Sequence, residues 1–435
     1  MKFRKITSFD KTESSFCEYQ KPDKYNDLFR LLQKPTSIRG AGLSYCNASV
    51  SSDNMCIDMT SFDRILSFDS ANGSIMAEAG ISVGKLNNFL IDNGWLMPVL
   101  PGYPLITLGG CIAFNIHGKS QYKIGTFGDW VEELVIYHPD NGEVICSRDI
   151  NNDLFEITIG GMGFTGIILS ARLRLKKING NQLHIKTIRT ANLYEAVSIM
   201  KDNSGTFEYV YSWNNFNLKG NSFGKGIVYL EKVGNEFQRK APIHFKNRLS
   251  LKKTPCLLND FTIGIMCRLY PVLDRLKPRV RKSDLYKGSF PIYGKEIYYK
   301  LFGTKGFREY QVLFSDEAWP EASRKIENLI EEQKVPITLA SIKLFKGNTH
   351  YVSLSGDGVC LAMDVVNNQK GLRFFDHLDN ITLQYKGIIN LSKDSRAKKE
   401  FIKRSFTGFD SFKESISKID PRRSFVSNLR NRMEV

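Results

Sequence analysis

Two glycine-rich strings could bring the backbone of this chain close to a phosphate group. Residues 39–45 (RGAGLSY) lie between two short predicted strands, and such a loop can wrap an anion with its N–H groups. Residues 161–166 (GMGFTG) fit the spacing G-x-G-x-x-G, which binds a dinucleotide only where a helix begins at the string. Here IILSARLRL follows, and its apolar residues alternate as in a strand. No acidic residue lies about 20 positions further on to contact a ribose. The Rossmann interpretation is therefore rejected.

The first string opens an ordered series of glycine segments. Eleven glycines fall between Gly102 and Gly166, against 34 in all 435 residues. Glycine at that density indicates close backbone approach or many left-handed turns. The series, in chain order, is RGAGLSY, Ala79-Gly80, Pro101-Gly102, TLGG (107–110), NIHGK (115–119), GTFG (125–128) and GGMGFTG (160–166).

This series resembles the FAD-binding domain of the vanillyl-alcohol oxidase (PCMH-type) family. The resemblance implies an α+β fold: a two-part PCMH-type FAD-binding domain with an inserted α+β substrate (cap) domain. In that family the RGAG-type loop and the TLGG segment hold the FAD pyrophosphate, and GxxGII lies around the ribose and adenine. Several relatives attach FAD covalently through a histidine in G-x-G-H-S; Leu43 stands at that position, so we expect non-covalent FAD. The implied cofactor-binding residues are Arg39, Gly40, Ala41, Gly42, Leu43, Ser44, Tyr45, Asn47, Gly102, Thr107, Gly109, Gly110, His117, Gly118, Ile167, Ile168 and Asn390.

Three further stretches narrow the resemblance to one group. NIHGKSQYKIGTFGDWVEELVI, SIKLFKGN with GVCLAMDV, and LSKDSR with IDPRRSFVSNLRNRMEV are similar to the decaprenylphosphoryl-β-D-ribose 2′-oxidase group. The similarity covers essentially the whole chain and is weakest at about 235–290. It implies oxidation of the 2′-hydroxyl of a lipid-linked pentofuranosyl phosphate to a ketone, the first half of an epimerisation. It also implies catalytic roles for Lys393 and His117. The implied substrate-pocket residues are Tyr45, Gln311, Lys343, Cys360 and Lys393.

The chain departs from the group's pattern at three pocket positions. Cys46 replaces the glycine after the first-loop tyrosine, Gly358 an asparagine, and Asn390 a tyrosine. These changes leave the pocket in outline and alter its lining, so the identity of the glycosyl group stays open.

Physical chemistry bears on the same residues independently. Flavin-dependent oxidation of an alcohol transfers a hydride to the ring, and a nearby cation such as Lys393 would stabilise the anionic reduced flavin. Cys360 lies in an apolar strand, where a thiol behaves as a small buried hydrophobe. Lys343 alternates with apolar residues in ASIKLF, so it points either to solvent or into a cleft. The sequence contains no nucleophilic triad, metal cluster or P-loop, and we expect no metal.

The chain is long enough for two domains. We assign 1–178 to the FAD-binding domain, 179–387 to the cap domain and 388–435 to a segment that returns to the active site. Helices are predicted over 82–94, with Ser82 as the N-cap and Gly94 as the stop, and over EAWPEASRKIENLIEEQ.

A basic block at 239–287 contributes +10 of the formal net charge of +16. Within it, apolar residues from Leu257 to Leu273 recur near helical spacing, with a break or kink expected at Pro271. This pattern fits either an interfacial helix on an anionic membrane or a core helix. The block's thirteen cations are Arg239, Lys240, Lys246, Arg248, Lys252, Lys253, Arg268, Arg275, Lys277, Arg279, Arg281, Lys282 and Lys287.

We see no signal peptide and no membrane-spanning run, and eight cysteines without a C-x-x-C pair indicate free thiols. We therefore expect a cytoplasmic protein, peripheral at the inner face of the membrane. The expected partners are a lipid-linked sugar phosphate substrate, a separate NAD(P)H-dependent short-chain reductase and an anionic membrane surface.

Two alternative functions stay open. One is a sugar-1,4-lactone oxidase or another FAD-linked alcohol oxidase with a soluble substrate. The other is a basic nucleic-acid-binding protein. Such a protein would need aromatic side chains between its cations for base stacking, whereas the basic block has mainly leucines there. We therefore expect no nucleic acid partner.

Overall fold

The computed structural model describes residues 3–238, 243–246 and 254–435. Five cations of the basic block, Arg239, Lys240, Arg248, Lys252 and Lys253, lie outside these ranges. The strands, in chain order, are β1 (Phe3–Thr7), β2 (Ser14–Gln20), β3 (Thr36–Arg39), β4 (Met55–Asp58), β5 (Ile65–Asp69), β6 (Ser74–Glu78), β7 (Trp95–Leu96), β8 (Val131–His138), β9 (Gly142–Ser147), β10 (Ile167–Arg174), β11 (Lys176–Lys177), β12 (Gln182–Thr190), β13 (Tyr209–Asn215), β14 (Lys225–Val233), β15 (Val280–Asp284), β16 (Phe307–Phe314), β17 (Leu339–Phe345), β18 (Gly358–Val366) and β19 (Ile388–Ile389).

The helices divide into short ones around the glycine segments and longer ones that cover the third sheet. They are α1 (Tyr25–Leu31), α2 (Val83–Asp92), α3 (Leu108–Ala113), α4 (Gln121–Ile124), α5 (Asn152–Thr158), α6 (Leu193–Asn203), α7 (Asp260–Arg275), α8 (Leu285–Gly288), α9 (Ile297–Lys300), α10 (Trp319–Gln333), α11 (Gln369–Gln384), α12 (Lys399–Ser405), α13 (Phe409–Ile419) and α14 (Asn428–Met433). No helix within the described ranges has the length and apolarity needed to cross a bilayer.

Two sheets carry the first part of the chain. The first has the order β1-β2-β4-β3, with β2 and β3 both parallel to β4. The second has the antiparallel order β5-β6-β10-β8-β9. The GMGFTG string runs straight into strand β10, so the rejection of a Rossmann helix at this point is confirmed.

A third, eight-stranded antiparallel sheet carries the second part, in the order β15-β12-β14-β13-β17-β18-β16-β19. One face packs on α6, α10 and α11 through residues such as Leu230, Ile342 and Met363, which lie in one hydrophobic cluster with those helices. Because side chains alternate along a strand, the intervening residues point to the opposite face, which borders a large cavity. Mixed sheets and helices of this kind confirm the α+β class.

The end of the chain returns to the first sheet. The Thr36 N–H donates to the Ser424 carbonyl at 2.8 Å, and the Val426 N–H donates back to the Thr36 carbonyl at 2.9 Å. The Tyr45 N–H donates to the Ser392 carbonyl at 2.9 Å, which ties the RGAGLSY loop to the segment after β19.

Local sequence signals placed the helices well where caps are strong. Helix α2 begins after Ser82, whose hydroxyl accepts from the Lys85 N–H at 3.3 Å, and the chain leaves it through Gly94 at φ +79°; this prediction is confirmed. Helix α10 likewise lies within the predicted segment. Of the two outcomes expected at Pro271, the break is wrong, because α7 continues through that residue to Arg275, and the kink stays a prediction.

Candidate FAD and substrate site

The cavity lies between the glycine segments and the open face of the third sheet. Its volume is about 980 Å³, which is at the upper end for ligand sites and large enough for a dinucleotide cofactor with a substrate beside it. The walls bring together segments from all parts of the chain: residues 40–45, 100–119, 162–168, the inner face of the third sheet, helix α7 and residues 390–393.

The two segments predicted to hold a pyrophosphate lie against each other. A Cβ atom at Gly40 would come within 2.1 Å of the Thr107 Oγ1 atom, so only glycine allows this approach. Gly42 has φ +65°, and a Cβ there would collide with the guanidinium of Arg39. Thr107 caps α3 by accepting from the Gly110 N–H at 3.3 Å. Without side chains at these glycines the backbone is left open toward the cavity, which fits a phosphate-bearing cofactor.

Most of the predicted cofactor-binding residues line this cavity. They are Gly40, Ala41, Gly42, Leu43, Ser44, Tyr45, Gly102, Thr107, Gly109, Gly110, His117, Gly118, Ile168 and Asn390.

Three predicted cofactor-binding residues do not lie on the cavity wall. Arg39 lies behind the loop, where its guanidinium donates to the Ser49 hydroxyl at 3.2 Å. The Asn47 side chain donates to the Ser15 hydroxyl at 3.2 Å, and Ile167 is buried in a hydrophobic cluster beside β4. The direction of Ile167 follows from the strand alternation of β10, which sends Ile168 to the cavity and its neighbour to the opposite side.

A hydrogen-bonded polar group forms the second part of the site. The Asn390 side-chain amide donates to Gln311 Oε1 at 2.7 Å. This bond turns Gln311 Nε2 toward His117 Nε2, which lies 3.1 Å away. Because that amide nitrogen can only donate, His117 Nε2 accepts. Burial, with Lys343 and Lys393 close by, lowers the pKa of His117 well below its ordinary value. His117 is therefore a neutral imidazole here.

Cys360 lies behind this group and not on the cavity wall. It is 1% exposed and its Sγ lies 3.4 Å from the Gln311 amide nitrogen. Burial raises the pKa of the thiol to about 12, so Cys360 is a protonated small hydrophobe. Gln311 and Lys343 both line the cavity, and the choice between solvent and cleft for Lys343 is settled in favour of the cleft.

Lys393 lies at the meeting point of the loop and the third sheet. Its Nζ lies 3.7 Å from Glu309 Oε1 and 3.2 Å from the centre of the Tyr45 ring. Tyr45 is itself fixed by a 3.1 Å hydrogen bond to the Tyr299 hydroxyl. The cation is thus held in place from two sides at the wall of the cavity, which suits a preorganised charge.

The sequence interpretation missed a pair of carboxyl groups beside Lys393. Glu309 on β16 and Asp364 on β18 are cross-strand partners on the cavity face. Burial, with the Glu309 carboxyl group opposite, raises the pKa of Asp364 well above its ordinary value. The alternation of side chains in FREYQVLF and GVCLAMDV could have predicted that Glu309 and Asp364 share the cavity face of the sheet. It could not have predicted that they lie opposite each other.

A second missed feature is a group of cations at the mouth of the cavity. These mouth cations are Lys277, Arg281, Lys287 and Lys295, on the segments that run from the end of α7 to α9. The neighbouring Lys119 is neutralised by Glu231 at 2.6 Å. Within the described part of the chain, none of the mouth cations contacts a carboxylate within 4 Å. The walls around Lys295 exclude part of the solvent and, with Lys119 and Lys277 nearby, lower its pKa.

Comparison with known proteins agrees with this architecture. Residues 27–147 match the FAD binding domain family. The chain is 27% identical over 415 residues to decaprenylphosphoryl-beta-D-ribose oxidase of Mycolicibacterium smegmatis, across 91% of this chain and 88% of that protein. Over most of its length the chain is thus similar to an oxidase of the decaprenylphosphoryl-β-D-ribose 2′-oxidase group, and its first part matches the FAD binding domain family.

Two other relatives of this FAD-dependent oxidoreductase match about a third of its chain or less. The putative D-arabinono-1,4-lactone oxidase of Neurospora crassa is 27% identical over 141 residues, which is 32% of this chain and 25% of that protein. The mitochondrial D-lactate dehydrogenase [cytochrome] of Arabidopsis thaliana is 33% identical over 130 residues, 28% of this chain and 23% of that protein. These two matches each leave about two thirds of this chain or more uncompared. The enzyme thus uses FAD and acts on CH–OH groups.

Proposed function

We propose that the enzyme oxidises the 2′-hydroxyl of a lipid-linked pentofuranosyl phosphate to a ketone. A separate NAD(P)H-dependent short-chain reductase would then reduce the ketone from the other face and complete an epimerisation. The similarity over 91% of the chain to a protein named as a decaprenylphosphoryl-ribose oxidase supports this choice.

The mouth cations are the observation that carries the proposal. Four positive side chains without a carboxylate partner among the described residues suit a phosphodiester better than a neutral sugar lactone. They lie on residues 277–295, outside the segment 27–147 that matches the FAD binding domain family, and so belong to the substrate side. Tyr211 and Trp213 line the cavity next to them and offer flat apolar surface for a sugar ring or a prenyl unit.

FAD, when bound, would supply the hydride acceptor. Lys393 would offset the negative charge that accumulates during the transfer, since it is held at the wall by Glu309 and Tyr45. Neutral His117, with its Nε2 engaged by Gln311, would orient the substrate and would not carry a proton away. Glu309, whose Oε1 lies 3.7 Å from the Lys393 Nζ atom on the cavity wall, would be the group placed to accept the hydroxyl proton.

Steady-state kinetics of mouth-cation variants test the phosphate assignment. In the double variant Lys277→Gln/Lys295→Gln, we expect KM for a short-chain polyprenyl-phospho-pentose to rise about tenfold or more, because a hydrogen bond to a charged group contributes about 1.5–3 kcal/mol. We expect kcat at saturation and bound FAD to stay near the wild-type values, since the side chains that hold Lys393 are Glu309 and Tyr45, which the double variant leaves unchanged.

Lys300→Gln is the matched control, because Lys300 is an exposed lysine of α9 outside the cavity wall. An unchanged KM in the double variant would refute the phosphate site. Faster flavin reduction by a sugar 1,4-lactone than by any phospho-pentose would replace this function with that of a lactone oxidase.

A further inference from the structure

Helix α7 has two faces of different character. Its inner face carries Ile263, Cys267 and Asp274, which are at most 4% exposed. Met266 and Tyr270 on the same side line the cavity, and the Tyr270 hydroxyl lies 2.7 Å from that of Tyr229 on the third sheet. The inner face is therefore a fixed wall of the substrate cavity.

The outer face of α7 is apolar and exposed. Phe261 is 75% exposed, Leu269 50% and Leu276 78%. These positions recur at helical spacing, so the exposed groups form one continuous stripe. We call this stripe the α7 outer face; its members are Phe261, Ile265, Leu269, Val272 and Leu273 on the helix and Leu276 at its C-cap. Soluble proteins seldom leave so large a contiguous apolar surface in water, and such a patch marks an interaction site.

Cations border the α7 outer face. Four lie on the helix or directly after it in the described residues, Arg268, Arg275, Lys277 and Arg279, whereas Lys282 on β15 is paired with Glu236 at 2.8 Å. Asp260 at the helix start is the one exposed acid on α7, and Lys370 lies 3.9 Å from it. An apolar stripe with a cationic border matches the acyl chains and headgroups of an anionic lipid surface. A second copy of the chain would bring two cationic borders together, which disfavours self-association.

We propose that the α7 outer face docks the enzyme on an anionic membrane surface. The apolar side chains enter the boundary between headgroups and acyl chains, while the bordering cations contact lipid phosphates. Because α7 is also a wall of the cavity, docking places the mouth cations at the lipid surface. The consequence for catalysis rests on the proposed function: a lipid-linked sugar phosphate would enter the cavity with its chain still in the membrane.

Co-sedimentation with vesicles tests the docking without reference to turnover. We expect binding to vesicles that contain phosphatidylglycerol, weaker binding as salt rises, and little binding to phosphatidylcholine alone. Leu269→Glu/Leu273→Glu should lower the partition coefficient about tenfold or more, because it places charge in the apolar stripe. Arg275→Glu/Arg279→Glu should lower it by a similar factor, since each cation is worth roughly fivefold in binding.

Matched controls use the same substitutions away from α7. Leu66→Glu changes an exposed leucine of β5 that is 49% exposed, and Lys325→Glu changes an exposed lysine of α10. Both should bind vesicles as the wild type does. All variants should reduce their flavin normally with a water-soluble short-chain analogue, which separates docking from the proposed function.

Three outcomes would overturn the docking proposal. The first is equal, negligible binding of the wild type to anionic and neutral vesicles at low salt. The second is unchanged vesicle binding in both α7 variants. The third is a wild-type dimer in light scattering that Leu269→Glu/Leu273→Glu converts to a monomer, because the α7 outer face would then be an interface between copies.

Discussion

Replacing Lys393 with alanine should abolish most of the turnover while the protein keeps its FAD. The Lys393 Nζ atom lies 3.7 Å from Glu309 Oε1, and neither side chain is more than a quarter exposed. Two unit charges at this separation interact by about 4 kcal/mol at an effective dielectric constant of about 20. Loss of one preorganised group of this kind lowers the rate of a chemical step by a factor of roughly 10²–10³. The truncation also leaves Glu309 unpaired beside the site, which opposes charge development further.

Anaerobic stopped-flow measurement of flavin reduction isolates the step concerned. We expect Lys393→Ala to be slower by about 10²–10³, with FAD content unchanged, and Lys393→Arg to recover part of the rate because it keeps the charge. Lys398→Ala is the control, since it removes an exposed lysine from the same segment. A rate for Lys393→Ala within a few-fold of the wild type, at equal FAD content, would refute the assignment.

Three more predictions follow from particular residues. Because Leu43 replaces the covalent histidine, acid precipitation should release intact FAD into the supernatant; yellow colour in the pellet would contradict this. Gly40→Ala should purify with far less FAD, because its Cβ would collide with Thr107, whereas a full FAD complement would show that the two segments can separate. Burial opposes ionisation of Asp420, but the His138 side chain and hydrogen bonds from Arg430 and nearby N–H groups outweigh it and hold the pKa of Asp420 below the ordinary value. A depressed pKa contributes stability above the unfolded-state pKa that is lost as pH falls, so Asp420→Asn should cost about 3–5 kcal/mol of unfolding free energy near pH 7. The cost should shrink toward pH 3 in urea titrations; a cost independent of pH would contradict the ion pair.

The sequence predicted many of the glycine-segment residues that line the cavity, because the signals that place them are local. The RGAGLSY loop, the Ser82 cap and the strand after GMGFTG each depend on neighbouring residues. The left-handed conformation of Gly42 has the same origin. The sequence did not predict the direction of every side chain. Arg39 was expected to bind the cofactor, but its guanidinium lies behind the loop and donates to the Ser49 hydroxyl.

The substrate half depends on strand pairing that the sequence does not specify. Glu309 and Asp364 are 55 positions apart and become neighbours only when β16 pairs with β18 in one register. The mouth cations likewise meet because α7, β15 and α8 fold over the cavity. The basic block is one continuous segment of the sequence, but its cations lie in two places in the structure. Some line the cavity, others border the α7 outer face, and Lys277 belongs to both groups. Helix α7 passes through Pro271 because packing against Tyr229 and Trp213 holds it there.

Anaerobic titration of the oxidised enzyme with a polyprenyl-phospho-pentose tests directly whether the enzyme oxidises the 2′-hydroxyl of such a substrate. We expect stoichiometric loss of the oxidised flavin absorption and formation of the 2′-keto product. The same sugar without its phosphate should reduce the flavin only at much higher concentration. Reduction that is equally effective with and without the phosphate, or that occurs only with sugar lactones, would contradict the account.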